Sequence, residues 1–113
     1  MKQISISHIP NYWRMFMDEI RLSLQSNQNT IPRSMEFTQE SENDFINLCI
    51  TLSDDCTLTI NLHTYTLQYL FISDVKTQVI NQINKSVLLW KLESLSNNNK
   101  NFNYNVTFGM DNH

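Results

Sequence analysis

The side chains best suited to chemistry near neutral pH are three histidines, His8, His63 and His113, and two cysteines, Cys49 and Cys56. Imidazole titrates near neutrality, so a His8/His63 pair could divide the acid and base roles of a proton transfer. No Lys or Arg stands close to either in sequence to hold a transferred phosphoryl group. Cys49 with His63 as its base could act as a nucleophile, but Cys49 has no local activating context. The cysteines are spaced C-x6-C without a nearby His pair, which is poor zinc spacing. Glu40 and Glu42 could ligate a hard cation, yet their segment lacks the D-x-[DN]-x-[DN]-G pattern of a calcium loop. A single glycine in 113 residues leaves no phosphate-cradling loop. The residues predict no catalytic site, no metal and no cofactor, and an enzyme built on His8 and His63 is the third of three readings.

What the chain does carry is segregated charge. "SMEFTQESENDFINLCITLSDD", residues 34–55, holds Glu36, Glu40, Glu42, Asp44, Asp54 and Asp55 and no Lys, Arg or His. With Asp74, residues 34–75 hold seven acids and no Lys or Arg, a net of −7 within a chain of net −3. The flanks 1–33 and 76–113 each hold four bases and two acids, a net of +2 apiece. Such acids can simply solvate turns, cap a helix and keep a sheet edge soluble. Gathered on one surface, they attract a basic partner and speed its association. Direct nucleic-acid binding is not expected, because the pI is about 5.4 and the eight bases are spread singly. An acidic face could instead mimic nucleic acid toward a protein that binds it.

These residues must be positioned by one domain spanning 1–113, since the length suits a single core and 41% of the residues are hydrophobic. "KQISISH" alternates like a short strand. Trp13, Phe16, Met17, Ile20 and Leu24 fall at helical spacing after Pro10, so a helix is predicted over about 10–26. "SMEFT" reads as a strand with Met35 and Phe37 on one face. "DFINLCITLS" places Leu48, Ile50 and Leu52 on one face, and Asn47, Cys49 and Thr51 on the other. "CTLTINLHTYTLQYLFIS" puts Leu58, Ile60 and Leu62 inward, then shifts to odd positions at Tyr65, Leu67, Tyr69 and Phe71. A period-2 face cannot change parity without a break, so two strands or one strongly bent strand are predicted, broken at 63–65. With a turn at Asp54-Asp55, Ser53 faces Cys56 and Cys49 faces Ile60, a register that makes a disulfide difficult. Asp74 is an N-cap candidate for a second helix over roughly 74–96, with Val75, Val79, Ile83, Val87 and Trp90 on its stripe and Leu88, Leu92 and Leu95 widening it. "NFNYNVTFG" alternates cleanly as a last strand. The prediction is α+β: an antiparallel sheet of about five to six strands with two helices packed on one face.

The N-terminus has no apolar run or small-residue cleavage site of a signal peptide, and no stretch approaches 18 apolar residues. A cytoplasmic protein is expected. In its size, its charge, its few cysteines and the acidic block from Glu36 to Asp74, the chain resembles the small acidic bacterial immunity proteins that neutralise cytotoxic nucleases, including those of contact-dependent growth inhibition systems. That resemblance implies a non-catalytic protein whose partner is a basic toxin or effector domain. Its binding residues would be Glu36, Glu40, Glu42, Asp44, Asp54 and Asp55. Tyr65 and Tyr69 would be aromatic anchors, because Tyr is favoured at interface hot spots. The second reading is an acidic, dimeric secretion chaperone that holds an effector segment, with Leu88, Leu92 and Leu95 supplying its apolar surface. Sequence does not fix the oligomeric state.

Overall fold

Pro10 (φ −61°, ψ 153°) is the N-cap residue of helix α1 (Asn11–Gln28) in the computed structural model, which describes residues 3–6, 8–40, 45–53, 56–96 and 102–108. A residue fixed near this φ and lacking an N–H loses nothing at a helix start. Phe16, Ile20 and Leu24, each one turn apart, are fully buried, with Trp13 and Met17 packed beside them. The helix ends at Asn29, which takes the left-handed conformation (φ 50°, ψ 43°) and donates its N–H to the Leu24 carbonyl. Asn is among the few non-glycine residues that adopt this conformation readily, so the chain reverses here without a glycine.

The strands β1 (Gln3–Ser5), β2 (Ser34–Glu40), β3 (Phe45–Ser53), β4 (Cys56–His63) and β5 (Phe102–Phe108) lie in one sheet in chain order. β1 to β4 pair antiparallel. Alternation along these strands sorts the side chains into two faces. Phe37 stands opposite Leu48 and Leu48 opposite Ile60, while Met35, Ile50 and Leu58 form the next row. That face is buried by α1 and by a second long helix, α3 (Ser73–Ser96), which contributes Val79, Ile83 and Val87 to the same core. Burial of each such side chain contributes about 1.5–3 kcal/mol, and it draws both helices to one side. The class is α+β, with two long helices packed over an antiparallel sheet.

The two helices run side by side in the same direction. Lys76 Nζ meets Glu19 Oε2 at 2.8 Å, Asn84 Nδ2 donates to Ser23 Oγ at 2.9 Å, and Lys91 Nζ donates to the Gln28 carbonyl. Their partners advance together along both helices, so polar contacts hold the register while the apolar stripes face the sheet.

Several sequence expectations are corrected. The segment directly after His63 is not a strand: residues 64–67 form a single helical turn, α2 (Thr64–Leu67), and turns occupy 68–71. Leu67 and Leu70 are buried three residues apart, a helical spacing that the β-prone Tyr and Thr residues disguised. β5 pairs parallel to β4, not antiparallel, because the connection between them contains α3, and a crossover of that length returns a strand in the same direction. Asp74 lies in the first turn of α3 rather than before it. Cys49 faces Thr59 instead of Ile60, because the register shifts between Thr51 and Ser53. Leu88 and Leu92 do not widen the core face: they are 47% and 55% exposed, beside Leu89 at 50%. Leu92 lies about 140° around the helix from Val87 at 100° per residue.

Ile83→Ala should lower unfolding free energy by about 2–5 kcal/mol in urea titrations. Leu88→Ala should change it by less than ~0.5 kcal/mol. Equal effects would mean that α3 presents a different face to the sheet.

Candidate functional site

Because both long helices cover one face, the described residues leave the other face of the sheet without a helix. It is built from alternate positions of three antiparallel strands. Ser34, Glu36 and Thr38 come from β2; Phe45, Asn47, Cys49, Thr51 and Ser53 from β3; Thr57, Thr59, Asn61 and His63 from β4. The ladder arranges them in rows. Ser34 stands opposite Thr51 and Thr51 opposite Thr57; Glu36, Cys49 and Thr59 form the second row; Thr38, Asn47 and Asn61 form the third. At one end Phe45 pairs with His63, their rings edge to face at 5.1 Å. Thr38 and Asn47 are buried even on this helix-free face, each flanked by side chains of the adjacent strands. Thr38 Oγ1 lies 3.8 Å from Cys49 Sγ.

No described strand contains a Lys or Arg. The two acids within the described strands, Glu36 and Glu40, both lie in β2, and Glu36 is exposed on the helix-free side. The described bases sit elsewhere: Arg14 and Arg21 on α1, Lys76, Lys85 and Lys91 on α3, and Arg33 just before β2. The described strands thus carry acids and no bases, whereas the helices are mixed: Arg14, Arg21, Lys76, Lys85 and Lys91 stand beside Asp18, Glu19, Asp74 and Glu93.

The predicted binding residues are only partly brought together. Glu36 and Glu40 share β2. Glu42, Asp44, Asp54 and Asp55 lie outside the described residues, in the connections at opposite ends of β3. β3 has nine residues, so those connections are separated by roughly 27 Å at about 3.3 Å per residue. Asp74 is exposed at the start of α3. Tyr65 belongs to α2, and Tyr69 lies in the turn that follows. The Tyr69 ring packs at 6.4 Å from Phe71, which meets Tyr12 of α1 at 6.2 Å. Tyr12 touches Trp13, and Trp13 lies 4.9 Å from Phe37. This aromatic chain places Tyr69 on the helix side, away from Glu36. Sequence reasoning put Asn47, Cys49 and Thr51 on one face but did not extend the row to Thr57, Thr59 and Asn61 or treat it as a site, and it missed the Phe45–His63 pair.

The candidate chemical groups are also separated. His8 is exposed beyond β1, and β1 is three strand spacings, about 14 Å, from β4. β1 runs toward the middle of β2, where Ile6 N–H donates to the Phe37 carbonyl, whereas His63 stands at the other end, opposite Phe45. Among the described residues no three His, Cys, Asp or Glu side chains come together as a metal site. Cys49 is half-buried on the helix-free face and Cys56 is buried in the core. With the sheet between them the two thiols cannot approach, and burial pushes the Cys56 thiol from 9.0 to about 11. A groove of about 650 Å³ between the end of α1 and α3 is lined mainly by the amides of Gln28, Gln78, Asn81, Gln82 and Asn84. No protein-family model, curated protein or solved structure matches the chain.

A thiol reagent at pH 8 should modify Cys49 in the native protein and reach Cys56 only after unfolding, as peptide mapping would show. The raised folded pKa favours the neutral thiol, so its stabilisation, about 2–3 kcal/mol, is complete below the unfolded value of 9.0 and lost as pH rises through about 11. Urea midpoints followed from pH 8 to 11 should therefore fall further in the wild type than in Cys56→Ala.

Proposed function

We propose that this chain is a non-catalytic binding protein of the toxin-immunity kind, acting in the cytoplasm on a basic nuclease-type toxin domain. The helix-free face of the sheet is its contact surface. The observation that supports this reading is the absence of bases from the described strands: Glu36 and Glu40 stand there without a Lys or Arg, while every described base lies on a helix or in the loop before β2. The Thr and Asn rows supply donors and acceptors to a polar partner, and Phe45 with His63 offers an aromatic contact at one end. Lys and Arg of the toxin would be engaged in place of nucleic acid, with rim charges mainly raising the on-rate. Tyr69, on the helix side, is not part of this surface. Among the described residues no helix is long and apolar enough to cross a membrane.

A second reading, a secretion chaperone, draws on the exposed Leu88, Leu89 and Leu92 of α3. It expects an extended effector segment to be bound along those leucines rather than a folded basic domain along the sheet.

The test is capture of the neighbouring gene's product by the tagged protein, followed by titration at several salt concentrations. A folded basic partner should bind, and Glu36→Lys/Glu40→Lys should weaken association about tenfold or more at low salt, with the gap closing as salt screens the charges. Unchanged binding by the double reversal at low salt would sink the acidic-face reading. Loss of binding on Leu92→Lys instead would favour the chaperone.

A further inference from the structure

The sheet order leaves β5 at an edge, and among the described residues only β4 pairs with it. The two edges differ in kind. β1 is three residues long, a length that offers little to a foreign strand. β5 is seven residues long, pairs with β4 without a register shift, and contains no Lys, Arg, Asp, Glu, Pro or Gly. Natural edges are usually guarded by charge, proline, bulges or brevity, and β5 has none of these.

Its sequence, FNYNVTF, is also self-complementary about Asn105. When two copies are laid antiparallel across a two-fold axis through that position, Phe102 faces Phe108, Asn103 faces Thr107, and Tyr104 faces Val106. Apolar residues meet apolar ones and polar residues meet polar ones at all seven positions. Aromatic and β-branched pairs of this kind are the stabilising units of a ladder. A one-residue slip would set the two faces against each other, and a two-residue slip would leave two residues of each strand unpaired. The faces are continuous with the rest of the sheet: Phe102, Tyr104, Val106 and Phe108 are in register with the core positions Cys56, Leu58, Ile60 and Leu62, and Asn105 with Thr59. A two-fold axis perpendicular to the sheet keeps each face on its own side. The absence of charge from β5 removes the repulsion that identical edges otherwise meet.

We propose that β5 is a homodimerisation strand, through which a second copy of this chain pairs antiparallel about Asn105. The result is a ten-stranded sheet with all long helices on one side and two copies of the polar face on the other. This inference does not depend on the toxin-immunity reading, because no partner other than the chain itself enters it.

Sedimentation velocity on the full chain tests it. The wild type should show twice the 13.4 kDa chain mass. Asn105→Lys and Asn105→Glu should each lose the dimer, since like charges then face each other across the axis. An equimolar mixture of the two variants should regain it, because only this register sets position 105 against itself. Leu92→Lys should leave the dimer intact. A monomeric wild type, a dimer that survives both substitutions at 105, a mixture that stays monomeric, or a dimer lost with Leu92→Lys would each overturn the proposal.

Discussion

One-sided burial is the constraint from which the rest of this structure follows. In β3 and β4, and in β2 through Met35 and Phe37, every second side chain is apolar, and the registers Phe37–Leu48–Ile60 and Met35–Ile50–Leu58 hold those side chains on one face. A sheet with a single apolar face can accept helices on that face alone. Both α1 and α3 must therefore share it, and their mutual contacts through Glu19–Lys76 and Ser23–Asn84 are a result of that crowding. The polar rows on the opposite face are the other half of the same alternation. Their exposed members, unlike the buried Thr38 and Asn47, are not held to one polarity by the core.

The distribution of charge fits this division of labour. Basic side chains with long apolar stems suit helix surfaces, where Lys76 and Lys91 reach across to α1. The strands carry short Thr, Ser and Asn side chains and two glutamates. Of charged groups the described strands therefore carry acids alone, while the helix surfaces mix bases with Asp18, Glu19, Asp74 and Glu93.

The legibility of the fold follows the strength of the local pattern. Phe16, Ile20 and Leu24, and again Val79, Ile83 and Val87, repeat every four residues, and each stripe is buried as its spacing requires. β3 and β4 were readable because alternation persists through them. The segment after His63 was not, since Tyr65, Tyr69 and Phe71 are strand-prone residues and a single helical turn is too short to show a period. The parity change at 63–65 was a true signal of a break, but a break can be a turn into helix as well as a bulge. The direction of β5 was masked for another reason: alternation is the same in parallel and antiparallel strands, and only the intervening α3 distinguishes them. For the candidate site, sequence showed which segment is acidic but not which layer or which end of a strand each acid occupies. Tyr69 illustrates this: it is near the acidic block in sequence and on the helix side in space.

The parallel placement of β5 also orders the assembly of the sheet in time. β3 and β4 are joined by a two-residue connection, and such a hairpin closes in about 1–10 μs. Cys56 and Phe102, by contrast, are neighbours in the ladder across 46 positions of chain, so β5 cannot dock until α3 has formed and settled on the core. Closing so long a loop costs entropy that only the later contacts offset. Until then β4, later an interior strand, is itself an edge with its hydrogen-bonding groups exposed. On a ribosome β5 is the last of the five described strands to emerge, so it is the last that can reach its place, beside β4.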